Sequence, residues 1–181
     1  GGILIIFAVT LSTPLWADIS RSHIWLVLVA TLGFCAIGFA DDYLKFIKAR
    51  SKGLSASQKF TAQIVVALIV ALILYSMPGY STKLSVPFFK SFTPDLGWFY
   101  IVFAVLVIVG CSNAVNLTDG LDGLAIGPVM IAALACTVVA YVTGHRLMSE
   151  YLLIPHIDGA GELAVFTAAI LGSSLGFLWF N

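Results

Sequence analysis

The chain has 181 residues, 60% of them hydrophobic and 10% charged, with zero net charge and a mean hydropathy of +1.05. Soluble domains carry about 25% charged residues, so this composition excludes an ordinary soluble protein and leaves no room for a separate soluble domain. Zero net charge gives no electrostatic case for nucleic acid as a partner. The expectation is an all-α, polytopic membrane protein, with 1–181 forming one integral membrane domain.

A bilayer crossing needs about 20 mostly apolar residues. Six stretches qualify: 2–17, 23–40, 60–77, 98–116, 124–143 and 163–180. The first is short, and Pro14 lies near its end, where a kink or stop costs little. Cys35, Cys111 and Cys136 fall inside these runs without metal-type spacing and read as small buried residues. The chain opens on Gly1-Gly2 without Met, basic n-region or cleavage site, and closes at Asn181 directly behind Phe177-Leu-Trp-Phe180. It reads as an internal piece of a longer protein, truncated at both ends.

The connections differ in kind. Residues 18–22 read as a tight turn. Residues 78–97 carry Pro78-Gly79, Pro87 and Pro94 and read as a turn-rich loop or short hairpin. Residues 144–161 are polar. The loop 41–59 is basic, with Lys45, Lys48, Arg50, Lys52 and Lys59, while Arg21, Lys83, Lys90 and Arg146 are spread over three other loops. Positive-inside counting therefore places 41–59 in the cytoplasm. It also puts the acidic stretch around Asn116–Gly123 on that same side.

Two acidic clusters stand at the ends of apolar runs, where carboxylates are costly and mark a functional site by default. The first is Gly38-Phe-Ala-Asp41-Asp42-Tyr-Leu-Lys45. Adjacent helical residues point about 100° apart, so the two acids are not expected to grip one ion from a regular helix. One would bind while the other positions or accepts a proton. Acids at a helix C-terminal end also face the unfavourable pole of its dipole, so a metal, Lys45 or Lys48 should compensate. The alternative is a solvated helix end neutralised by lysines.

The second cluster is Asn113-Ala-Val-Asn116-Leu-Thr118-Asp119-Gly120-Leu-Asp122-Gly123. Asn113, Asn116, Asp119 and Asp122 repeat at spacing three, a row suited to a hydrated divalent ion with a sugar or base. Mg²⁺ is usually held by one or two carboxylates plus waters and phosphate oxygens. Asp119 and Asp122 are expected to open the helix 124–143, at its positive pole. Ordinary helix capping by Asp119 is the structural alternative. Lys59 reads equally as a phosphate contact or as a side chain snorkelling toward lipid headgroups. Gly172-Ser-Ser-Leu-Gly176 suits close helix packing, within one chain or across a homodimer. His23, His145 and His156 read as interfacial residues rather than ligands.

Asp41-Asp42-Tyr-Leu-Lys45, Lys52-Gly-Leu-Ser with Gln58-Lys59-Phe60, and Asn113-Ala-Val-Asn-Leu-Thr-Asp-Gly-Leu-Asp-Gly-Leu-Ala125 resemble the polyprenyl-phosphate N-acetylhexosamine-1-phosphate transferases, glycosyltransferase family 4. The likeness extends over essentially the whole chain and is greatest to the muramoyl-pentapeptide branch. It implies a fold of about ten membrane helices, each of the ~20 residues a crossing needs, of which this chain resembles the middle six. It implies a Mg²⁺-dependent phospho-sugar transferase of peptidoglycan synthesis. That enzyme moves phospho-N-acetylmuramoyl-pentapeptide from UDP-N-acetylmuramoyl-pentapeptide to undecaprenyl phosphate, giving lipid I and UMP at the cytoplasmic face of the bacterial inner membrane. By resemblance Asp41, Asp42 and Asp119 are the catalytic acids, with Asp119 on the metal. Lys59, Asn113, Asn116 and Asp122 are expected to bind substrate. A further metal-binding acid beyond Asn181 and a later histidine cluster complete the family pattern.

Two rivals stand beside this reading. A related transferase using UDP-N-acetylglucosamine shares the Asp-Asp and Asp-Gly-x-Asp-Gly cores. A cation or proton transporter would instead place its acids near helix midpoints, on a route across the bilayer.

Overall fold

The computed structural model describes residues 2–47, 53–86, 92–118 and 124–180. Seven α-helices are present among them: α1 (Gly2–Trp16), α2 (Ser22–Ile47), α3 (Ala56–Tyr75), α4 (Phe99–Thr118), α5 (Ile126–Gly144), α6 (Arg146–Leu152) and α7 (Leu163–Phe180). The described residues contain no β-strand, only an isolated bridge between Lys83 and Asp95. Five stretches are long and apolar enough to cross a bilayer: Ser22–Lys45, Ala56–Tyr75, Phe99–Thr118, Ile126–Gly144 and Ala160–Phe180. α1, with 15 residues, is about 22 Å long at 1.5 Å per residue and falls short of the roughly 30 Å hydrocarbon core. The chain is an all-α, multi-pass membrane protein, with six apolar helices where six were expected, one of them short.

Several boundaries differ from expectation, each for a local reason. α2 runs through the acids to Ile47 instead of stopping at residue 40. Asp41 and Asp42 lie four and three residues ahead of Lys45, the order that supports a helix. α3 opens at Ala56 instead of residue 60, because Ser55 and Gln58 form a reciprocal capping box. α5 opens at Ile126 with no acid in its first turn, and its capping residue, Ala125, makes no side-chain capping bond. Asp119 and Asp122 therefore precede that helix by more than expected, and both lie outside the described residues. α6 interrupts a stretch read as plain loop; the His145 ring accepts the Met148 amide at its start.

The chain divides into two compact units. The first comprises Gly1–Trp25, Ser85–Pro94 and Ala114–Asn181. Here α7 packs against α1 and α5, and the Thr137 and Thr167 hydroxyls meet at 2.8 Å between α5 and α7. Hydroxyls in hydrocarbon need a partner from the protein, and Thr10, Thr13 and Thr137 each donate one turn back to a carbonyl of their own helix. The turn at 18–22 is as tight as expected. The Asp18 carboxylate accepts the Ser20 hydroxyl and amide, which hold its pKa below the usual range. Arg21 bridges Asp18 and Asp158, and the Asp18 amide donates to Glu162. Among the histidines, His145 caps α6 and His156 bonds the Thr143 carbonyl at 3.0 Å.

The second unit comprises Leu26–Leu84 and Asp95–Asn113. The two ends of its 78–97 loop meet, with residues 87–91 outside the described residues: the Leu96 amide donates to the Thr82 carbonyl, the Thr82 hydroxyl to Asp95, and Tyr80 and Tyr100 share a hydroxyl bond. Gly33 of α2 packs on Val66 of α3. One expectation fails in both units. Cys111 and Cys136 are exposed and Cys35 is only half-buried. Apolar runs do not reveal which helix face touches protein, because lipid tails satisfy an apolar face as well as a core does.

One backbone contact fixes the end of α5. A Cβ on Gly144 would fall inside contact distance of the Gly161 amide nitrogen and 2.5 Å from its Cα. Gly144→Ala should therefore lower the thermal midpoint in detergent, at a cost of about 1–3 kcal/mol for forced overpacking. Gly110→Ala, on a helix position with nothing within 4 Å, should not lower it.

Candidate functional site

The second unit gathers charge where α2 ends and α3 begins. Asp41 is buried, 8% exposed. Its Oδ2 receives Lys45 Nζ at 2.7 Å, Lys59 Nζ lies 3.9 Å away, and its Oδ1 accepts the Leu54 amide at 2.8 Å. The loop can come this close because residue 53 is glycine. A Cβ there would press on Asp41 Oδ1, sit 2.6 Å from the Asp41 carbonyl oxygen and 3.0 Å from Lys45 Cε.

Asp42 is the opposite case. Its side chain is 81% exposed, with Lys45 Nζ at 3.2 Å. The two acids thus share one cation, which the 100° spacing argument did not anticipate. Lys45 projects about 40° past Asp41 and 60° short of Asp42 around the helix, so its long stem places the ammonium between them. Lys45 is the compensating charge expected for the helix end, and Lys48 lies outside the described residues. Lys59 faces Asp41 with its side chain 25% exposed, and Asp41 is one of its partners.

One turn beyond Lys59, on the same face of α3, Gln63 is buried at 3% exposure. Asn113 Nδ2 donates to Gln63 Oε1 at 2.8 Å and to the Val109 carbonyl at 2.9 Å. The starts of α3 and the end of α4 are tied together by that pair, as α2 and α3 are by Asp41. Asn116 lies in the last turn of α4 and is exposed. Of the seven residues named from sequence, the structure joins Asp41, Asp42 and Lys59 in one cluster and sets Asn113 beside it through Gln63. Asp119 and Asp122 lie outside the described residues. Gly53, the Leu54 amide and Gln63 were not anticipated. The Ser55-x-x-Gln58 capping signature was the available signal, since it starts α3 early enough to align Lys59 with Gln63.

The donor chemistry separates the two acids. Asp42 suits a hard divalent cation, bound through one or two carboxylates with water or phosphate oxygens completing the shell. Asp41 does not, because one oxygen holds a backbone amide and the other faces two ammonium groups. Among the described residues, no three or more His, Cys, Asp or Glu side chains gather as a metal cluster.

Fold and cluster together define a multi-pass helical membrane protein with a lysine-bound carboxylate pair at the end of a span. Residues 24–181 match the family model described as glycosyl transferase family 4, and the chain belongs to that family. Over its full length it is 55% identical to a protein of Nitratidesulfovibrio vulgaris (strain DP4) named phospho-N-acetylmuramoyl-pentapeptide-transferase, covering 51% of it. It is 55% identical to the protein of that name from Desulfotalea psychrophila and 53% to that from Pelobacter propionicus, covering 50% and 51% of them. The chain thus spans about half the length of the curated relatives it matches. The family inferred from motif resemblance is the family matched.

Burial decides what the lysine is worth. Lys45–Asp41 and Arg146–Glu150 share the same four-residue spacing, but Asp41 is 11% exposed in its side chain and Glu150 is 60% exposed. Lys45→Met should lower the unfolding free energy by about 1–3 kcal/mol, because it strips a charge from a buried partner. Arg146→Met should cost less than about 0.5 kcal/mol. Comparing the two thermal midpoints in detergent checks this.

Proposed function

We propose that the chain supplies the carboxylate–lysine part of a Mg²⁺-dependent transferase. Its substrates are UDP-N-acetylmuramoyl-pentapeptide and undecaprenyl phosphate, and its products are lipid I and UMP. The names of the relatives support the substrate class. The observation that carries the reading is the division of labour in the acidic pair: Asp41 is bound by cations and an amide, while Asp42 is exposed beside the same lysine. The basic loop 41–59 supports a site at the cytoplasmic face of a bacterial inner membrane, where a soluble nucleotide-sugar and a membrane lipid can meet.

Phosphoryl transfer depends on positioning and charge neutralisation more than on covalent help. Overall, the bond between the sugar-linked phosphorus and UMP breaks, and a bond from that phosphorus to the lipid phosphate oxygen forms. Asp42 and, by family pattern, Asp119 would hold Mg²⁺, which would supply neutralisation of charge on the pyrophosphate. Lys45 and Lys59 keep the local field from turning strongly negative, and Asp41 holds both in place. Asn116 and Asp122 stand in the acidic motif, where the resemblance puts substrate. A transporter would place its acids near helix midpoints, whereas Asp41 and Asp42 lie near the end of the span Ser22–Lys45.

UMP release by the full-length protein, assayed with each UDP-sugar, tests the reading and separates it from the UDP-N-acetylglucosamine alternative. Asp42→Asn and Asp119→Asn should each lower release about 100-fold or more, the scale of losing a preorganised electrostatic group. His145→Ala, at the α6 cap, should leave it unchanged. Near-parental turnover in folded Asp42→Asn and Asp119→Asn proteins would reduce both motifs to structural roles.

A further inference from the structure

We infer that Gln63 is a positioning residue that fixes the orientation of the Asn113 amide, so that Asn113 meets its ligand only as a hydrogen-bond acceptor. Gln63 is a buried amide in an apolar spanning helix, a placement that is unfavourable unless the amide is bonded. Its bond to Asn113 joins α3 and α4 across the interior of one unit.

The direction of that bond follows from chemistry. The Val109 carbonyl can only accept, so the Asn113 atom 2.9 Å from it must be the NH₂ nitrogen. The same nitrogen then gives its second hydrogen to Gln63, whose facing atom must be its carbonyl oxygen at 2.8 Å. Both Asn113 donors are used. The Oδ1 atom remains, and it accepts no bond from any other described residue.

A phosphate oxygen, which can only accept, has nothing to gain from such an atom. A sugar hydroxyl, an acetamido N–H or a nucleobase N–H does. Resting on the function proposed above, this assigns Asn113 to a hydroxyl or N–H of the nucleotide-sugar. The pyrophosphate falls to the lysine cluster around Asp41, whose Lys59 stands one turn from Gln63 on α3. Gln63 acts through Asn113 and need not touch substrate.

The test uses the full-length protein with purified UDP-N-acetylmuramoyl-pentapeptide and undecaprenyl phosphate, recording KM, kcat and the thermal midpoint. Gln63→Met removes the acceptor that orients Asn113. It should raise KM for the UDP-sugar about tenfold, the scale of one hydrogen bond lost. Gln63→Glu keeps an acceptor and should stay within about twofold of the parent on that scale. Asn113→Ala should raise KM as Gln63→Met does, and the double variant should add little, since both remove the same contact. Gln63→Leu serves if Gln63→Met does not accumulate. A purely structural Gln63 would lower the thermal midpoint while leaving KM at the parental value, and that result overturns the inference. Equal impairment of Gln63→Glu and Gln63→Met overturns it too. A parent that releases no UMP overturns the functional reading, and this inference with it.

Discussion

A carboxylate buried at a membrane edge must be neutralised or it cannot stay ionised there. Asp41 is answered from three directions: Lys45 from its own helix, Lys59 from the next, and the Leu54 amide from the loop between them. Removing one partner of a fully buried pair costs about 3–5 kcal/mol; Lys45 is half exposed, which brings this pair down to about 1–3 kcal/mol. The consequence is geometric. One side chain ties the end of α2, the 53–54 turn and the first turns of α3 together, and Gly53 lets the backbone approach closely enough for it to do so. The same ammonium also lies 3.2 Å from the exposed Asp42 carboxylate.

The remaining structure obeys the bilayer. Apolar side chains such as Leu11, Trp25, Leu106 and Ile131 are exposed on the helices because hydrocarbon is an adequate solvent for them. Buried polar groups mostly find partners, although Ser174 Oγ on α7 has none among the described residues. Thr13 bonds the carbonyl one turn back, Thr137 meets Thr167 between helices, and Gln63 meets Asn113. The interior of each unit is therefore specified by a few polar contacts on a background of unspecific apolar packing. Outside the spans the contacts change character: Arg21 with Asp158 and Arg146 with Glu150 are exposed ion pairs, which locate loops but hold little free energy.

Much of this was legible in the sequence, because twenty-residue apolar runs have few meanings. The all-α membrane class followed from composition, and the family from Asp41-Asp42 and the Asn113–Gly123 string. The boundaries of α2 and α3 differ for one reason, that charged residues beside an apolar run need not end its helix. α2 continues past residue 40 because Lys45 stands at the spacing that lets Asp41 remain helical. α3 starts before residue 60 because Ser55 and Gln58 form a capping box. The exposure of the cysteines and the Gln63–Asn113 bond were not legible, since a helix that is apolar all round gives no sign of which face meets its neighbour. Lys45 as the partner of both acids follows from helical geometry once the reach of a lysine stem is counted beside the 100° between the two carboxylates.

The Asp41 anchor is measured most directly at the Leu54 amide by hydrogen–deuterium exchange on the full-length protein in detergent. A bonded, part-buried amide exchanges slowly, and one released by local opening exchanges fast. The account predicts slow exchange at Leu54 in the parent and exchange faster by at least about 10-fold in Asp41→Ala, the scale of a bond worth 1–2 kcal/mol. The amide of Val70, in the interior of α3, should exchange alike in both. Equal rates at Leu54 in parent and Asp41→Ala would contradict the claim that Asp41 holds the loop to the helix end.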